Sequence, residues 1–430
     1  MPGIRRRTLL AGSTALLAAP AIAGAAEVKE LSFFYPVTVS APMASIIEGY
    51  CRQYAKETGI TVKAAYAGTY PDALSKAVTA IRGGGGPQFS VMLTSDIHTL
   101  QALDLIVPLE EIGLDQAAEA WIDSFWPAFM FNTRIAGKTW SVPFQRSTEI
   151  ILYNQDAFKA AGLDPEHYPT DWNAQAEAAQ KLTNRKASPQ TWGLEMAADI
   201  TSGHWTFGAL TAGNAQPLMN DAGTKVFFNA PKTIETLQYW VDLSRKWQVT
   251  PAGVTYWATL VPNFLRGQTA IIVTSSGNLS YVTQNAKFAF DAALPAGNPK
   301  PATVVGGGNL YIFKHASKAE QQAALKFAQW LTTPERAADW SIRTGYIGVV
   351  KTAFDTKAMQ DYIARHPVAA RPKSFLPVAV GELSTYQDAR IQTLIENHIS
   401  AALSGKATAA AAMQSAQTEA EAVLRPYQHL

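Results

Sequence analysis

The sequence contains a single cysteine, Cys51, among 430 residues. One thiol cannot form a disulfide within the chain, so the stability of the fold must come from a hydrophobic core and not from covalent cross-links. Cys51 falls on the apolar face of a predicted helix, a position typical of a buried structural thiol and not of a nucleophile. Cysteine chemistry is therefore not expected of this protein.

Charge of one sign is not in excess either, because 36 Lys and Arg residues are balanced by 34 Asp and Glu residues, giving a formal net charge of +2. Nucleic-acid binding requires a concentrated basic face, so this balance gives no case for a nucleic-acid partner. Hydrophobic residues make up 47% of the chain and charged residues 16%, as in ordinary soluble globular proteins. The length exceeds that of a usual single core, so two domains are expected.

The motifs of several enzyme classes are missing from the sequence. It contains no HExxH, paired CxxC, GxxxxGK[ST] or GxSxG, so metal-dependent hydrolysis, zinc fingers, nucleotide hydrolysis and α/β-hydrolase chemistry lack support. The seven histidines are scattered without the spacing of a metal site. The glycine run 83–86 follows a predicted helix and precedes a predicted strand, the reverse of the order in a phosphate-binding loop. We expect no metal and no cofactor.

The first 26 residues have the charged, apolar and small-residue order of an export signal. The pair Arg6-Arg7 precedes a short run rich in Ala and Leu, as is typical of the twin-arginine route. This run is too short for a membrane span, and Gly12 and Pro20 interrupt it. No cysteine follows it, so a lipoprotein anchor is not expected. The sequence therefore predicts export to the periplasm.

A strand–helix–strand rhythm opens the remaining chain. Residues 31–35, 60–66 and 89–94 have the apolar patterns of strands, and helical spacing of apolar residues separates them. This rhythm predicts an α/β fold with a parallel sheet and helices on both of its faces. Ligands of such sheets bind at the C-terminal ends of the strands, which makes Tyr70 and Thr94 candidate binding residues.

The stretch 142–172 organises the rest of the chain. Residues 149–153, rich in Ile and Leu, predict a buried strand, and 156–161 predict a short helix that Gly162 ends. Thr170 is predicted to cap the next helix, which begins at 171.

This stretch resembles the crossover segment of the extracytoplasmic solute-binding proteins of ABC importers, the group that contains the maltose- and glycerol-3-phosphate-binding proteins. The resemblance covers nearly the whole mature chain, is fairly specific at 334–346, and is closest in form to the glycerol-3-phosphate-binding proteins. In the crossover it is carried by Pro143, Phe144, Ser147, Thr148, Tyr153, Asn154, Asp156, Phe158, the run 161–165, Pro169 and Trp172.

The resemblance implies a two-lobed periplasmic-binding-protein fold with a hinge and a ligand cleft between the lobes. The first lobe would hold residues 27–147 and 291–342, and the second would hold 148–290 and 343–430. It further implies a binding protein and not an enzyme, acting as a monomer. The closed form would deliver a small anionic ligand to a membrane permease that a cytoplasmic ATPase drives.

The resemblance also implies a set of binding residues. Its phosphate-side ligands fall on Ser147, Ser275, Gly307, Tyr346 and Arg390, its glycerol-side tyrosine on Tyr70, and its tryptophan wall on Trp172. Hydroxyls, a glycine amide, a phenol and a guanidinium can together satisfy several phosphate oxygens, with arginine as the bidentate clamp. Taken alone, Arg390 would be a solvated helix arginine and Trp172 a core residue.

Two positions depart from the family pattern. Thr94 stands where the family has a glutamate that binds glycerol hydroxyls, and Arg146 stands where it has a serine. Losing a carboxylate and gaining a guanidinium should make the site more positive, so we expect an anionic ligand: glycerol-3-phosphate, or a related phosphorylated polyol or glycerophosphodiester whose other end differs from free glycerol. A binding protein for neutral sugars or polyols is an alternative, since several tryptophans and tyrosines could stack on sugar rings. An exported hydrolase with two facing carboxylates is an alternative of another class.

Overall fold

The computed structural model describes residues 28–39, 42–113 and 116–430, and for residues 116–118 only the backbone. The predicted export signal, residues 1–26, lies outside the described residues. Across the described ranges, no helix is long and apolar enough to cross a membrane.

The chain alternates strands and helices along its length. The strands are β1 (Glu30–Tyr35), β2 (Thr61–Tyr66), β3 (Phe89–Leu93), β4 (Arg134–Ile135), β5 (Lys138–Thr139), β6 (Val142–Asn154), β7 (Trp192–Met196), β8 (Thr269–Ser275), β9 (Phe290–Ala293), β10 (Thr303–Ile312) and β11 (Ala379–Gly381). The helices are α1 (Met43–Thr58), α2 (Tyr70–Arg82), α3 (Ile97–Ala102), α4 (Leu109–Ile112), α5 (Gln116–Asp123), α6 (Gln155–Ala160), α7 (Trp172–Leu182), α8 (Gly203–Gly213), α9 (Pro231–Arg245), α10 (Trp257–Leu265), α11 (Leu279–Asn285), α12 (Lys318–Leu331), α13 (Pro334–Thr344), α14 (Lys357–Arg365), α15 (Arg371–Phe375), α16 (Asp388–Leu403) and α17 (Ala409–Leu424). Short 3-10 helices include Thr94–Asp96 and Ser276–Asn278.

Most of these strands form one mixed sheet in the order β2-β1-β3-β10-β6-β8-β7, with β11 beside β10 and β9 beside β6. The predicted parallel arrangement is correct for β1, β2 and β3. It is wrong at the centre, where β10 runs antiparallel to both β3 and β6. The antiparallel centre arises because β10 enters between β3 and β6 from a distant part of the chain.

Strand β6 connects the two halves of the sheet. The prediction located only its second half, whereas the strand runs over Val142–Asn154. Its first half pairs with β10, and its second half pairs with β8 and β9. One continuous strand therefore passes through the middle of the molecule.

Each half of the sheet has its own hydrophobic core, and both faces of each half are covered. In the first half, Val91 and Leu310 face one cluster, while Met92 and Tyr311 face another. This alternation follows from the two-residue period of a strand. Each fully buried side chain of this size contributes roughly 1.5–3 kcal/mol. Residues 337–379 supply many members of the first core, although the second segment of the second lobe was predicted to start at 343.

Local residues mark the starts of several helices. The Ser317–Glu320 capping box begins α12, and Pro334 stands in the first turn of α13. Helix α7 is capped by Asp171 and not by Thr170, because the Asp171 carboxylate accepts the hydrogen bond from the Ala174 amide at 2.9 Å. Cys51 is buried in the first core, and burial raises the pKa of its thiol to about 12.

Candidate functional site

A cavity of about 290 Å³ lies between the two halves of the sheet. This volume is close to the lower end of the range usual for small-molecule sites, about 300–1,000 Å³. The walls come from chain segments that are far apart in sequence. They are formed by Val37, Thr38, Val39, Thr69, Tyr70, Pro71, Leu93, Ser147, Ile200, Thr201, Ser202, His204, Trp205, Trp257, Ser275, Gly307, Tyr346, Glu382 and Gln392.

Five of the predicted binding residues meet in this cavity: Tyr70, Ser147, Ser275, Gly307 and Tyr346. They come from the start of α2, from β6, β8 and β10, and from the turn after α13. The fold therefore brings together side chains that a sequence distance of more than 270 residues separates.

Tyr70 and Tyr346 both line the cavity, and their side chains interact with each other. The Tyr70 hydroxyl donates to Gln145 Oε1 at 3.0 Å. Burial raises the pKa of both Tyr70 and Tyr346, so both phenols keep their protons at neutral pH. Tyr346 is held from behind by Trp340, whose ring stacks on it at 5.9 Å between centroids. These hydroxyls can both donate and accept hydrogen bonds.

Ser275 ends strand β8 and caps the 3-10 helix that follows. Its Oγ accepts from the Gly277 amide at 3.0 Å, as a capping side chain does. The Gly277 amide is therefore already hydrogen-bonded and is not free to bind a ligand. The hydroxyl hydrogen of Ser275 remains available to donate toward the cavity.

Glu382, which the sequence did not point to, supplies a carboxylate to the cavity wall. Thr94 is fully buried and does not line the cavity, but its hydroxyl donates to Glu382 Oε1. Burial raises the pKa of Glu382 to about 7, although the charges of Arg146 and His204 oppose this shift. A carboxylate is thus present beside Thr94, supplied from another element. Asp96, two residues beyond Thr94, is also buried, and burial raises its pKa to about 7.

Arg146, predicted as a ligand contact, is fully buried and does not belong to the cavity wall. Its guanidinium lies over the Phe129 ring at 5.4 Å. Desolvation lowers its pKa to about 10, so it still carries its charge at neutral pH. None of its three side-chain nitrogens has a hydrogen-bond partner among the described residues. The charge of Arg146 lowers the pKa of Glu382, which does line the cavity.

Trp172, the predicted tryptophan wall, lies in the second core and not in the cavity. Its ring stacks on Tyr239 at 4.3 Å with an interplanar angle of 5°, and its Nε1 donates to the Ala296 carbonyl at 3.1 Å. As the first residue of α7, it packs against its own lobe. The tryptophans that do line the cavity are Trp205 and Trp257.

Trp257 also links the two sides of the cavity. Its Nε1 donates to the Thr38 carbonyl at 3.3 Å. Its own amide donates to the Asp199 carboxylate at 2.6 Å, which fixes the start of α10. A contact of this kind holds the cavity walls at a defined separation.

Arg390, the predicted phosphate clamp, is exposed on α16 and lines a shallow surface depression with Thr393, Asn397 and Glu419. The apolar residues next to it face the second core, so the arginine faces solvent.

We therefore expect Arg390→Ala to change ligand affinity less than twofold. A side chain that clamps a charged group would instead contribute roughly 1.5–3 kcal/mol. Isothermal titration calorimetry of both proteins with the same solute measures the difference. A tenfold or greater loss of ligand affinity would show that Arg390 does contribute to binding.

The described part of the chain holds no group of three or more His, Cys, Asp or Glu side chains arranged to bind a metal ion. The site is therefore described by its hydroxyls, its aromatic rings and two ionisable side chains, Glu382 and His204.

Comparison with known proteins gives the same architecture. Residues 49–367 match the family described as bacterial extracellular solute-binding protein. The sn-glycerol-3-phosphate-binding periplasmic protein UgpB of Pectobacterium atrosepticum is 26% identical over 428 residues, which cover 94% of each chain. UgpB of Yersinia pseudotuberculosis is 28% identical over 382 residues, 84% of this chain and 85% of that one.

Two solved structures share the fold. UgpB from Mycobacterium tuberculosis in complex with glycerophosphocholine has a TM-score of 0.80 at 21% identity, covering 95% of this chain and 100% of that one. A solute-binding protein from Thermotoga lettingae bound with α-D-tagatose has a TM-score of 0.80 at 20% identity, covering 92% and 100%. The predicted two-lobed α/β periplasmic-binding-protein fold and the resemblance to ABC-importer solute-binding proteins are confirmed.

Proposed function

Because this chain belongs to the family of bacterial extracellular solute-binding proteins, we propose that it captures a phosphorylated polyol in the periplasm and delivers it to an ABC permease. The ligand class is glycerol-3-phosphate or a glycerophosphodiester. The relatives named as glycerol-3-phosphate-binding proteins support this class, since they match most of the chain.

One observation carries the proposal: a single cavity collects Tyr70, Ser147, Ser275, Gly307 and Tyr346. Three kinds of group on these residues, aliphatic hydroxyls, phenols and a backbone amide, suit the oxygens of a phosphate ester. The roles of these residues as ligand contacts remain part of the proposal.

The polyol end of the ligand has a partner in Glu382. A buried carboxylate held by the Thr94 hydroxyl can accept hydrogen bonds from two neighbouring alcohols. Arg146 keeps the carboxylate charged more readily than burial alone would allow. Thr94 and Arg146, the two departures from the family pattern, would thus act by setting the position and charge of Glu382.

A second candidate is a neutral sugar or polyol. The observation that favours it is the absence of Lys and Arg from the described residues that line the cavity, together with the presence of Glu382. A carboxylate in the wall disfavours a phosphate dianion by like-charge repulsion. Trp205 and Trp257 offer flat apolar surfaces for a sugar ring.

Lobe closure completes the proposed cycle. The contacts of residues 337–379 with the first core support a crossing between lobes after Ala379, whereas the resemblance implies one at 343. Strands β6 and β10 would then carry the other crossings, near Thr148 and Val305, where their pairing partners change. Ligand binding must favour the closed state over the open one if it is to signal to the permease.

Calorimetric titration with glycerol-3-phosphate, glycerophosphoglycerol, ribitol and maltose tests the ligand class. We expect the two phosphate esters to bind at least tenfold more tightly than the two neutral solutes. Tight binding of ribitol or maltose with no binding of either ester would establish the second candidate instead. Release of free phosphate or glycerol during the titration would indicate a hydrolase.

A further inference from the structure

The first turn of α8 carries two hydrogen-bond donors that face the cavity. His204 and Trp205 are the second and third residues of this 11-residue helix, and both line the cavity. The Trp205 indole N–H is buried and has no acceptor in the described part of the chain. His204 is only 6% exposed.

The His204 ring is fixed from behind by Glu396 of α16. Its Nδ1 lies 2.6 Å from Glu396 Oε1, and both side chains are buried. An imidazole that donates through Nδ1 to a carboxylate leaves Nε2 for a ligand. Within the described part of the chain Nε2 makes no hydrogen bond, and His204 is one of the residues that line the cavity.

We propose that His204, supported by Glu396, is the cationic anchor of this site and takes an anionic phosphate oxygen of the ligand at the first turn of α8. This inference rests on the proposed phosphorylated-polyol function. It assigns to His204 the charge that Arg390, exposed on the outer surface, does not bring to the cavity.

Three features of the surroundings support this assignment. Helix N-termini attract anions through the helix dipole, and the hydroxyl of the N-cap residue, Ser202, does not cap this one but donates to Asp199 Oδ1 at 2.9 Å. The Trp205 N–H adds a second donor at the same turn. His204 is the only cationic type of side chain in the described cavity wall.

The charge of His204 depends on the groups around it. Burial lowers the pKa of His204, but the hydrogen bond and charge of Glu396, with a further contribution from Glu382, more than offset this and leave the pKa above its usual value. Glu382 itself faces Arg146, and Asp199 acts on Glu396. Because the folded pKa is raised, the cationic form is complete at low pH and is lost as pH rises through that pKa.

Glycerophosphoglycerol is the suitable probe, since its single phosphodiester charge does not titrate near neutral pH. We expect its affinity for the natural protein to fall as pH rises from 5.5 to 8.5. His204→Gln should bind about tenfold more weakly at pH 5.5, and the gap between the two proteins should narrow as pH rises. Affinity for ribitol should change less than threefold. Deprotonation of Glu382 also disfavours an anion, but that effect would persist in His204→Gln.

Two further variants complete the experiment. Glu396→Gln keeps His204 in place, removes the charge behind it, and should shift the midpoint of the pH dependence to lower pH. His398→Gln removes a second His–Glu pair of α16, His398 with Glu419 at 3.1 Å, which lies outside the cavity, and should leave the profile unchanged.

The outcomes separate the two proposals. If the natural protein binds the diester but His204→Gln retains its full affinity and pH dependence, the role of His204 is wrong and the ligand class stands. If no phosphate ester binds at any pH while ribitol does, the ligand class itself is wrong. Circular dichroism and unfolding temperature confirm that each variant is folded.

Discussion

Gly307→Ala is expected to lower the free energy of unfolding by about 3–5 kcal/mol and to abolish solute binding. Gly307 has a φ of +99°, where residues with a Cβ are strained. A Cβ there would lie 2.0 Å from the backbone oxygen of Gln145 on the paired strand. Backbone atoms cannot rotate away as a side chain can, so the β10–β6 pairing at the cavity must open.

Gly253→Ala is the matched control for this prediction. Gly253 also has a positive φ, +88°, but a Cβ built on it meets no atom within 4 Å. It should therefore cost only the backbone strain, roughly 1 kcal/mol. Urea unfolding followed by tryptophan fluorescence compares the two variants. Equal midpoints for Gly307→Ala and Gly253→Ala would show that the collision with Gln145 is relieved without cost.

The sequence predicted the elements near the cavity better than it predicted the central strand. The helix starts at Thr69 and Ser317 follow from local side-chain-to-backbone bonds, which a short stretch of sequence specifies completely. Strand β6 was found only over its apolar half. Its first half contains Pro143 and the buried polar run 145–148, so it lacks the apolar pattern that marks a strand.

The candidate site shows what pattern and resemblance can each provide. Local pattern alone favoured a solvated arginine for Arg390 and a core tryptophan for Trp172, and the structure agrees with both. Glu382 could not be found from sequence, because nothing near it in the chain marks it. It reaches the cavity only through the tertiary contact with Thr94, 288 residues away in sequence.

Glu149→Gln is expected to gain stability over the natural chain as pH rises. The free energy of unfolding of the variant, minus that of the natural chain, should be about 4 kcal/mol larger at pH 8.5 than at pH 5. Glu149 is fully buried in β6. Its Oε1 accepts from the Thr206 hydroxyl at 2.8 Å, while its Oε2 has no hydrogen-bond partner among the described residues. Burial raises the pKa of Glu149 to about 8, and the Thr206 hydrogen bond only partly opposes this.

The sign of the effect follows from proton linkage. Between pH 4.3, near the pKa of an unfolded glutamate, and pH 8, the folded chain holds a proton on Glu149 that the unfolded chain has released. Folding stability therefore falls with rising pH over this window and levels off above it. Glutamine imitates the protonated carboxyl at every pH, so it removes this loss.

Asp96 and Glu382 are buried acids that add their own losses in both proteins, so the informative quantity is the difference between the two pH profiles and not either profile alone. Urea unfolding of both proteins at pH 5, 7 and 8.5 measures this difference. Glu177→Gln, on the exposed face of α7, is the control and should give a difference that is flat with pH. If the Glu149→Gln difference is equally flat, Glu149 is ionised in the folded protein. Its charge must then be satisfied inside the sheet where β6 leaves β10 and joins β8.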